Sequence, residues 1–151
     1  MNENLRETIK QLRSSLVALD DGPRIGEIRP GNADARFEVE SWDDVLVECD
    51  GGRFGAIDLW SAEEIPSCQQ AIQPLDNASD YLVVGQILYE PIVINRRSEL
   101  LHWLPVNAQP VALGTADLFL NHFVFGSGYS ELIPDVEKEH WWQFLSSQRI
   151  T

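Results

Sequence analysis

The sequence predicts an α+β fold, with a mainly antiparallel sheet of about four to six strands. Helices are expected at the N-terminus, after the first irregular segment and at the C-terminus. Two observations support this class. Strand-like segments cluster between helical ones, whereas in a parallel α/β fold strands and helices would alternate along the chain. Hydrophobic residues make up 44% of the 151-residue chain, which is enough for one buried core.

The first helix is expected from Leu5 to about Asp20. Its apolar residues recur at the spacing that gathers them on one stripe of an α-helix: Leu5, Ile9, Leu12, Leu16 and Leu19. Gly22 and Pro23 then stop the helix, because Gly accepts a positive φ and Pro cannot continue the hydrogen-bond ladder. Residues 23–35 show no clear period, which indicates an irregular connection with at most a short extended piece.

A second helix is expected to run into a glycine turn. Its apolar face consists of Phe37, Trp42, Val45, Leu46 and Cys49. Residues 50–52, Asp-Gly-Gly, stop this helix, and residues 54–60 then predict a strand. Ser61, with a glutamate three residues later, resembles a capping box that opens a short helical turn, which Pro66 would stop. Residues 69–79 are expected to form a loop.

The second half of the chain predicts a meander followed by two helices. Three segments rich in β-branched and other apolar residues form the meander: 81–88, 92–94 and 100–104. Thr115 is a good N-cap for a helix over residues 116–125, which are apolar almost all round, so such a helix must be largely buried. The same residues also fit a strand. The last helix is expected to begin at Pro134. Its core face is Trp141, Phe144 and Leu145.

Trp142 projects about 120° from that core face at helical spacing. The ring must therefore contact some other surface. One interpretation is that it packs on a neighbouring loop. The other is that it is a hot spot for a partner, since Trp is enriched at such positions. An exposed Trp142 would serve a homodimer equally well, so the sequence leaves open whether the protein is a monomer or a homodimer.

The charge balance narrows the class of partner. Eleven basic and 24 acidic side chains give a net charge of −13. This charge disfavours nucleic acid and acidic membranes, which both need clustered cations, and it suits a basic protein. The mixed, polar start of the chain shows no export signal, and no apolar run approaches the roughly 18 residues that span a bilayer. A cytoplasmic protein without membrane partners is therefore expected.

No residue pattern in the chain predicts catalysis, a cofactor or a metal. The three histidines, His102, His122 and His140, lie in apolar segments without a recognisable triad or nucleophile motif, so they are expected to be structural. Adjacent carboxylates at 43–44 and 63–64 point in different directions. The glycines near residue 51 lack the Lys-Ser/Thr of a phosphate loop. The two cysteines, at 49 and 68, are expected to be reduced thiols.

The order of several segments resembles the SUKH superfamily. These segments are residues 42–52, 54–60, 61–65 and 81–85. Members typically show a helix running into an Asn-Gly-Gly turn, a strand, a Glu-Glu-Ile-like segment and a strand with a glycine. Here Asp50 takes the place of that Asn, and Gly85 resembles the later glycine; residues 115–123 resemble the late helix. The chain departs from the pattern over residues 23–35, where a Leu-Pro entry is usual, and over residues 89–91, which lack the usual glycine or aspartate.

The SUKH superfamily includes many bacterial immunity proteins and the fungal Smi/Knr regulators. The resemblance implies a single domain over residues 1–151 that binds a cognate protein, commonly a toxin domain whose active site is thereby blocked. The leading hypothesis is an immunity protein for a basic toxin, for example a nuclease. The alternative is a regulatory or scaffold module of the Smi/Knr type, and an uncharacterised enzyme is less favoured. The expected partner-binding residues are Asp43, Asp44, Glu48, Asp50, Asp58, Glu63, Glu64 and Trp142.

Overall fold

The structure, a computed structural model, describes residues 1–148. The helices are α1 (Glu3–Val17), α2 (Gly22–Ile25), α3 (Glu40–Glu48), α4 (Ile65–Cys68), α5 (Ala116–Leu118), α6 (Tyr129–Leu132) and α7 (His140–Ser147). The strands are β1 (Glu27–Ile28), β2 (Gly52–Phe54), β3 (Ile57–Leu59), β4 (Tyr81–Ile87), β5 (Glu90–Asn95), β6 (Leu101–Trp103) and β7 (Val111–Gly114). The predicted α+β class is confirmed.

The strands form one antiparallel sheet in chain order, from β1 at one edge to β7 at the other. The predicted meander is its centre, where β4 pairs with β5 and β5 with β6. Within the described residues the sheet has seven strands, against the four to six expected. The sequence pattern did not reveal β7, and the two-residue β1 is the short extended piece expected between residues 23 and 35.

Residues 54–60 were predicted as one strand, and this prediction was wrong. The chain instead makes a tight hairpin, in which Phe54 of β2 pairs with Ile57 of β3. Gly55 lies in the turn with φ +67°, in the left-handed region that favours glycine. A Cβ at this position would lie 2.2 Å from the hydroxyl oxygen of Tyr129. The turn therefore needs a glycine for both its backbone angle and its space.

The main core lies between one face of the sheet and the helices α1, α3, α5 and α7. Four of the five residues in the predicted α1 stripe are buried, from Leu5 to Leu16. The fifth, Leu19, lies beyond the end of the helix and is 41% exposed. At the C-terminal side, Trp141 packs its ring against Phe54, with 5.3 Å between ring centroids. Its indole nitrogen donates to the carbonyl of Val124 at 2.9 Å.

A smaller cluster covers part of the opposite face of the sheet. Ile72, Val83 and Val93 form its buried centre. The chain that covers them includes α4 and two 3₁₀ turns, Gln69–Ile72 and Ala78–Asp80, where a loop was expected. Pro66 does not stop the helical turn, because it lies in the first turn of α4, where the missing N–H costs no hydrogen bond.

The last two predicted helices both differ from the prediction, the first in its helix type and the second in where it begins. The helix over residues 116–125 begins as predicted, since the Thr115 hydroxyl accepts from Leu118 N, and it continues beyond α5 as a π-helical turn, Phe119–Val124. The last helix begins at His140 and not at Pro134. Asp135 adopts φ +55°, which interrupts a right-handed helix after Pro134. The predicted core face of α7 is buried.

We expect Gly55→Ala to lower the free energy of unfolding by about 2 kcal/mol or more. Gly114→Ala is the matched control, because Gly114 also has a positive φ, of +81°, but a Cβ there would meet only the side chain of Leu118. That side chain is half exposed and can move, so the control is expected to cost only about 1 kcal/mol. Urea unfolding of both variants measures the difference, and equal losses would contradict the packing described at Gly55.

Candidate partner-binding surface

Six of the seven predicted acidic residues bond to or pair with groups within the chain. Asp43 accepts from Phe37 N, Asp50 from Ala62 N and Asp58 from the side-chain amide of Gln86, each at 2.8 Å; Glu48 and Glu64 pair with Arg6 and Arg29. Asp44 lies 3.6 Å from the amino group of Met1. Glu63 is exposed and has no bonded partner among residues 1–148. Most of the predicted set therefore also helps to hold the fold together.

The turn between α3 and β2, residues 49–51, brings Asp50 and Glu64 together; we call it the Gly51 turn. Gly51 has φ +82°, and a Cβ there would lie 2.8 Å from Ser61 N, so the chain after β3 packs directly on the turn. Ser61 N donates to the Glu64 carboxylate at 2.9 Å, and Glu64 N donates to the Ser61 hydroxyl at 3.2 Å. These two bonds are the capping box that the sequence predicted. Asp50 accepts from Ala62 N and ties the same segment to the turn.

Arg29 neutralises Glu64. Its guanidinium lies 2.7 Å from the carboxylates of both Glu27 and Glu64. Burial opposes ionisation of Glu64, but the hydrogen bonds from Ser61 and Arg29 outweigh it and lower the pKa of Glu64. The hydrogen bonds to the two glutamates raise the pKa of Arg29. Glu64 is therefore charged at neutral pH but already engaged by an internal cation.

The other predicted acids do not join this group. Asp43 and Asp44 lie near the start of α3, and Glu48 lies at its end. Asp58 lies on β3 between two buried residues, Ile57 and Leu59, so its side chain is on the sheet face away from the main core. The predicted residues thus occupy several surfaces of the domain and do not form one patch.

A second acidic group arises from segments that are distant in sequence. Four carboxylate residues line a surface cavity of about 400 Å³: Glu40, Asp44, Glu99 and Asp117. The Glu99 carboxylate accepts from the amide and hydroxyl of Ser41 at 2.8 and 2.9 Å, and Asp117 accepts from Asn2 N at 2.8 Å. Of this group the sequence singled out only Asp44, because only the fold brings its three segments together: α3, the turn at Glu99 and α5.

Trp142 is half-buried and contacts the chain itself. Its ring stacks on Tyr129, with 6.1 Å between centroids and 25° between planes. The Tyr129 hydroxyl donates to Glu139 at 2.7 Å and accepts from Ala56 N at 2.9 Å. Burial, together with the nearby Glu139 carboxylate, raises the pKa of Tyr129. The ring of Trp142 therefore packs on α6, where the sequence offered packing on a loop as one interpretation and a hot spot for a partner as the other.

The histidines and cysteines lie on separate elements. His122 in the π-helical turn pairs with Glu131 at 2.6 Å, while His102 lies on β6 and His140 at the start of α7. Both cysteines are free thiols; Cys49 is buried, and burial raises its pKa to about 11, while Cys68 is half-buried. Among residues 1–148, no three His, Cys, Asp or Glu side chains are grouped to hold a metal ion.

The most exposed aromatic side chain is one that the sequence did not single out as a site. Tyr89 lies at the turn between β4 and β5 and is 88% exposed. Leu88 precedes it at 41% exposure, and Val106, in the loop between β6 and β7, is 67% exposed. The Val106 amide donates to the Glu90 carboxylate, which joins the two loops. We call Leu88, Tyr89 and Val106 the tip patch.

We expect Glu64→Ala to lower the free energy of unfolding by about 1 kcal/mol at pH 7, because it removes the capping box and the Arg29 pair. Glu63→Ala is the matched control and is expected to change it by less than about 0.5 kcal/mol. Since folding lowers the pKa of Glu64, the ionic part of this stabilisation is present above the ordinary pKa of 4.5 and is lost as the pH falls below it.

Urea unfolding of the wild type and both variants at pH 7 and near pH 3 tests this expectation. The difference between wild type and Glu64→Ala should shrink at the lower pH. A difference that grew on acidification would show that the charge of Glu64 does not stabilise the fold.

Among the described residues, no helix has the length and apolar character needed to cross a membrane. No model of a known protein family matches the sequence, and a search of curated proteins returns no match.

Proposed function

We propose that this chain is a non-enzymatic protein-binding domain of the SUKH immunity type, which neutralises a basic toxin domain by forming a stoichiometric complex with it. The observation that carries this proposal is the negative charge that the chain leaves unpaired on its surface. The remaining support comes from the order of the elements around the Gly51 turn.

The chain neutralises only a small part of its own negative charge. Among residues 1–148, six of the 24 acidic side chains pair with Arg, Lys or the amino terminus, and Glu131 pairs with His122, which is a cation only when protonated; the six are Glu3, Glu7, Glu27, Asp44, Glu48 and Glu64. The other 17 have no ion-pair partner among residues 1–148. The exposed members of this unpaired set are Asp20, Asp21, Asp34, Glu38, Glu40, Glu63, Asp76, Asp80, Asp135 and Glu137.

Such a surface favours association with a cationic protein. Unpaired charge of one sign creates a field that raises the rate of encounter with a partner of opposite sign, and salt weakens this effect. Complementary charges also exclude partners that are acidic themselves. A toxin domain that acts on nucleic acid fits this chemistry, because binding to phosphates requires clustered Lys and Arg. An acidic protein on that basic surface would compete with the toxin's substrate.

The arrangement around the Gly51 turn supports the SUKH part of the proposal. The helix α3 runs into this turn, β2 follows it, and the Glu64 capping box packs on it. The helix-to-turn-to-strand order and the Glu-Glu-Ile-like segment are those that the resemblance implies. Gly85, on the next strand, pairs with Leu59 of β3. This order of elements therefore supports the SUKH assignment, although no family model and no curated protein matches the chain.

The first test is affinity capture with the purified protein from a lysate of its native host, at about 50 and about 300 mM salt. We expect one basic polypeptide to be captured at low salt and most of it to be lost at high salt. Its identification by mass spectrometry as a toxin encoded next to this chain would support immunity. Capture of ordinary host proteins would favour a regulatory module, and capture of nothing basic at either salt concentration would contradict the proposal.

Charge variants then test whether the unpaired carboxylates guide association. Glu38→Gln, Glu40→Gln and Glu63→Gln together remove three negative charges that have no internal partner, and we expect the association rate to fall about threefold or more at low salt. Arg96→Gln with Arg97→Gln is the matched control, because it removes two exposed cations and should raise the rate. Stopped-flow mixing with the captured partner measures both rates. Equal rates for all three proteins would show that this charge does not guide binding.

A further inference from the structure

The hairpin between β4 and β5 closes through an unusual two-residue turn. Ile87 pairs with Glu90, so Leu88 and Tyr89 alone form the loop. Both have positive φ, +50° and +69°. A tight hairpin of this kind requires positive φ at both central residues, and Asn-Gly is the sequence that adopts it most readily. Leu and Tyr adopt it at a cost, because their Cβ atoms crowd the backbone in the left-handed region.

Burial within the chain does not offset this cost. Tyr89 is 88% exposed and Leu88 is 41% exposed. Among residues 1–148, no hydrogen bond holds the Tyr89 hydroxyl. Tyr129 shows the contrast, since it is buried and its hydroxyl bonds to two groups. A strained backbone that carries exposed, bulky apolar side chains is a feature that fold stability alone does not explain.

The base of the turn is held firmly. Leu88 N donates to the Ala56 carbonyl at 3.0 Å, and the indole nitrogen of Trp103 donates to the Ile87 carbonyl at 3.1 Å. Glu90 accepts from Val106 N, which brings the third member of the tip patch to the hairpin. The hairpin therefore presents Tyr89 on a fixed support, and binding would cost little conformational entropy.

We propose that the tip patch inserts into an apolar cleft of the basic partner and provides the contact that holds the complex together. This inference rests on the proposed function and assigns a surface to it. The cleft is expected to have a basic rim, because Glu90 is the only charged residue of β4 or β5 and the chain carries a net charge of −13. Tyr is among the residues enriched at the energetic centre of interfaces. The unpaired carboxylates would then set the rate of encounter, and the tip patch the rate of dissociation.

The test uses a substitution that improves the turn and removes the proposed contact. Leu88→Asn with Tyr89→Gly restores the preferred turn sequence, so we expect the denaturation midpoint to rise. For the basic protein captured by the wild type, we expect dissociation from this variant to be about 30-fold faster, with little change in the association rate. Tyr89→Phe keeps the ring and should dissociate at nearly the wild-type rate.

The outcomes separate the two proposals. If the wild type captures no basic protein, the proposed function is contradicted, and the inference that the tip patch binds such a protein is contradicted with it. If the wild type binds such a protein and the double variant dissociates at the same rate, the tip patch is not the contact, but the proposed function stands. If sedimentation shows that the wild type is a dimer and the double variant a monomer, with unchanged partner binding, the patch joins two copies of this chain and the inference is overturned.

Discussion

One constraint shapes the fold: residues 1–148 form a seven-stranded sheet in chain order, and the helices before, within and after it cover its apolar face. The burial of this face brings α1, α3, α5 and α7 to the same side of the sheet. Trp141 shows how closely the parts depend on one another. Its ring packs on Phe54 of the first hairpin, while its indole nitrogen bonds to Val124 in the π-helical turn. The turns and loops that carry exposed charge and apolar side chains are positioned by this packing.

Much of the fold followed from periodicity in the sequence. The stripe of α1, the capping box at Ser61 and the central meander were predictable because each depends on residues close together in the chain. The errors arose where backbone conformation decided the structure. Gly55 turns residues 54–60 into a hairpin, and the left-handed Asp135 delays α7 until His140. A residue type permits such angles but does not dictate them, so the pattern could not show them.

The site was harder to predict for a different physical reason. The sequence identified the acidic character of the chain but not which carboxylates are already engaged. Glu64 and Glu63 are neighbours in sequence, yet Arg29, 35 residues earlier, pairs with Glu64, while Glu63 is exposed without a bonded partner among the described residues. The tip patch was missed because Tyr89 looked like a break between two strands. Its exposure and its positive φ are properties of the folded hairpin.

We propose different tasks for charge and for apolar contact: the unpaired carboxylates attract a cationic protein, the tip patch holds it, and the complex forms without turnover. The composition of the complex isolated from native host cells at low salt tests this most directly. Native mass spectrometry should find one copy of this chain with one copy of a basic polypeptide, whose mass equals that of its unmodified sequence. A chain isolated without a basic partner, or with one that it has cleaved or chemically altered, would contradict the central claim.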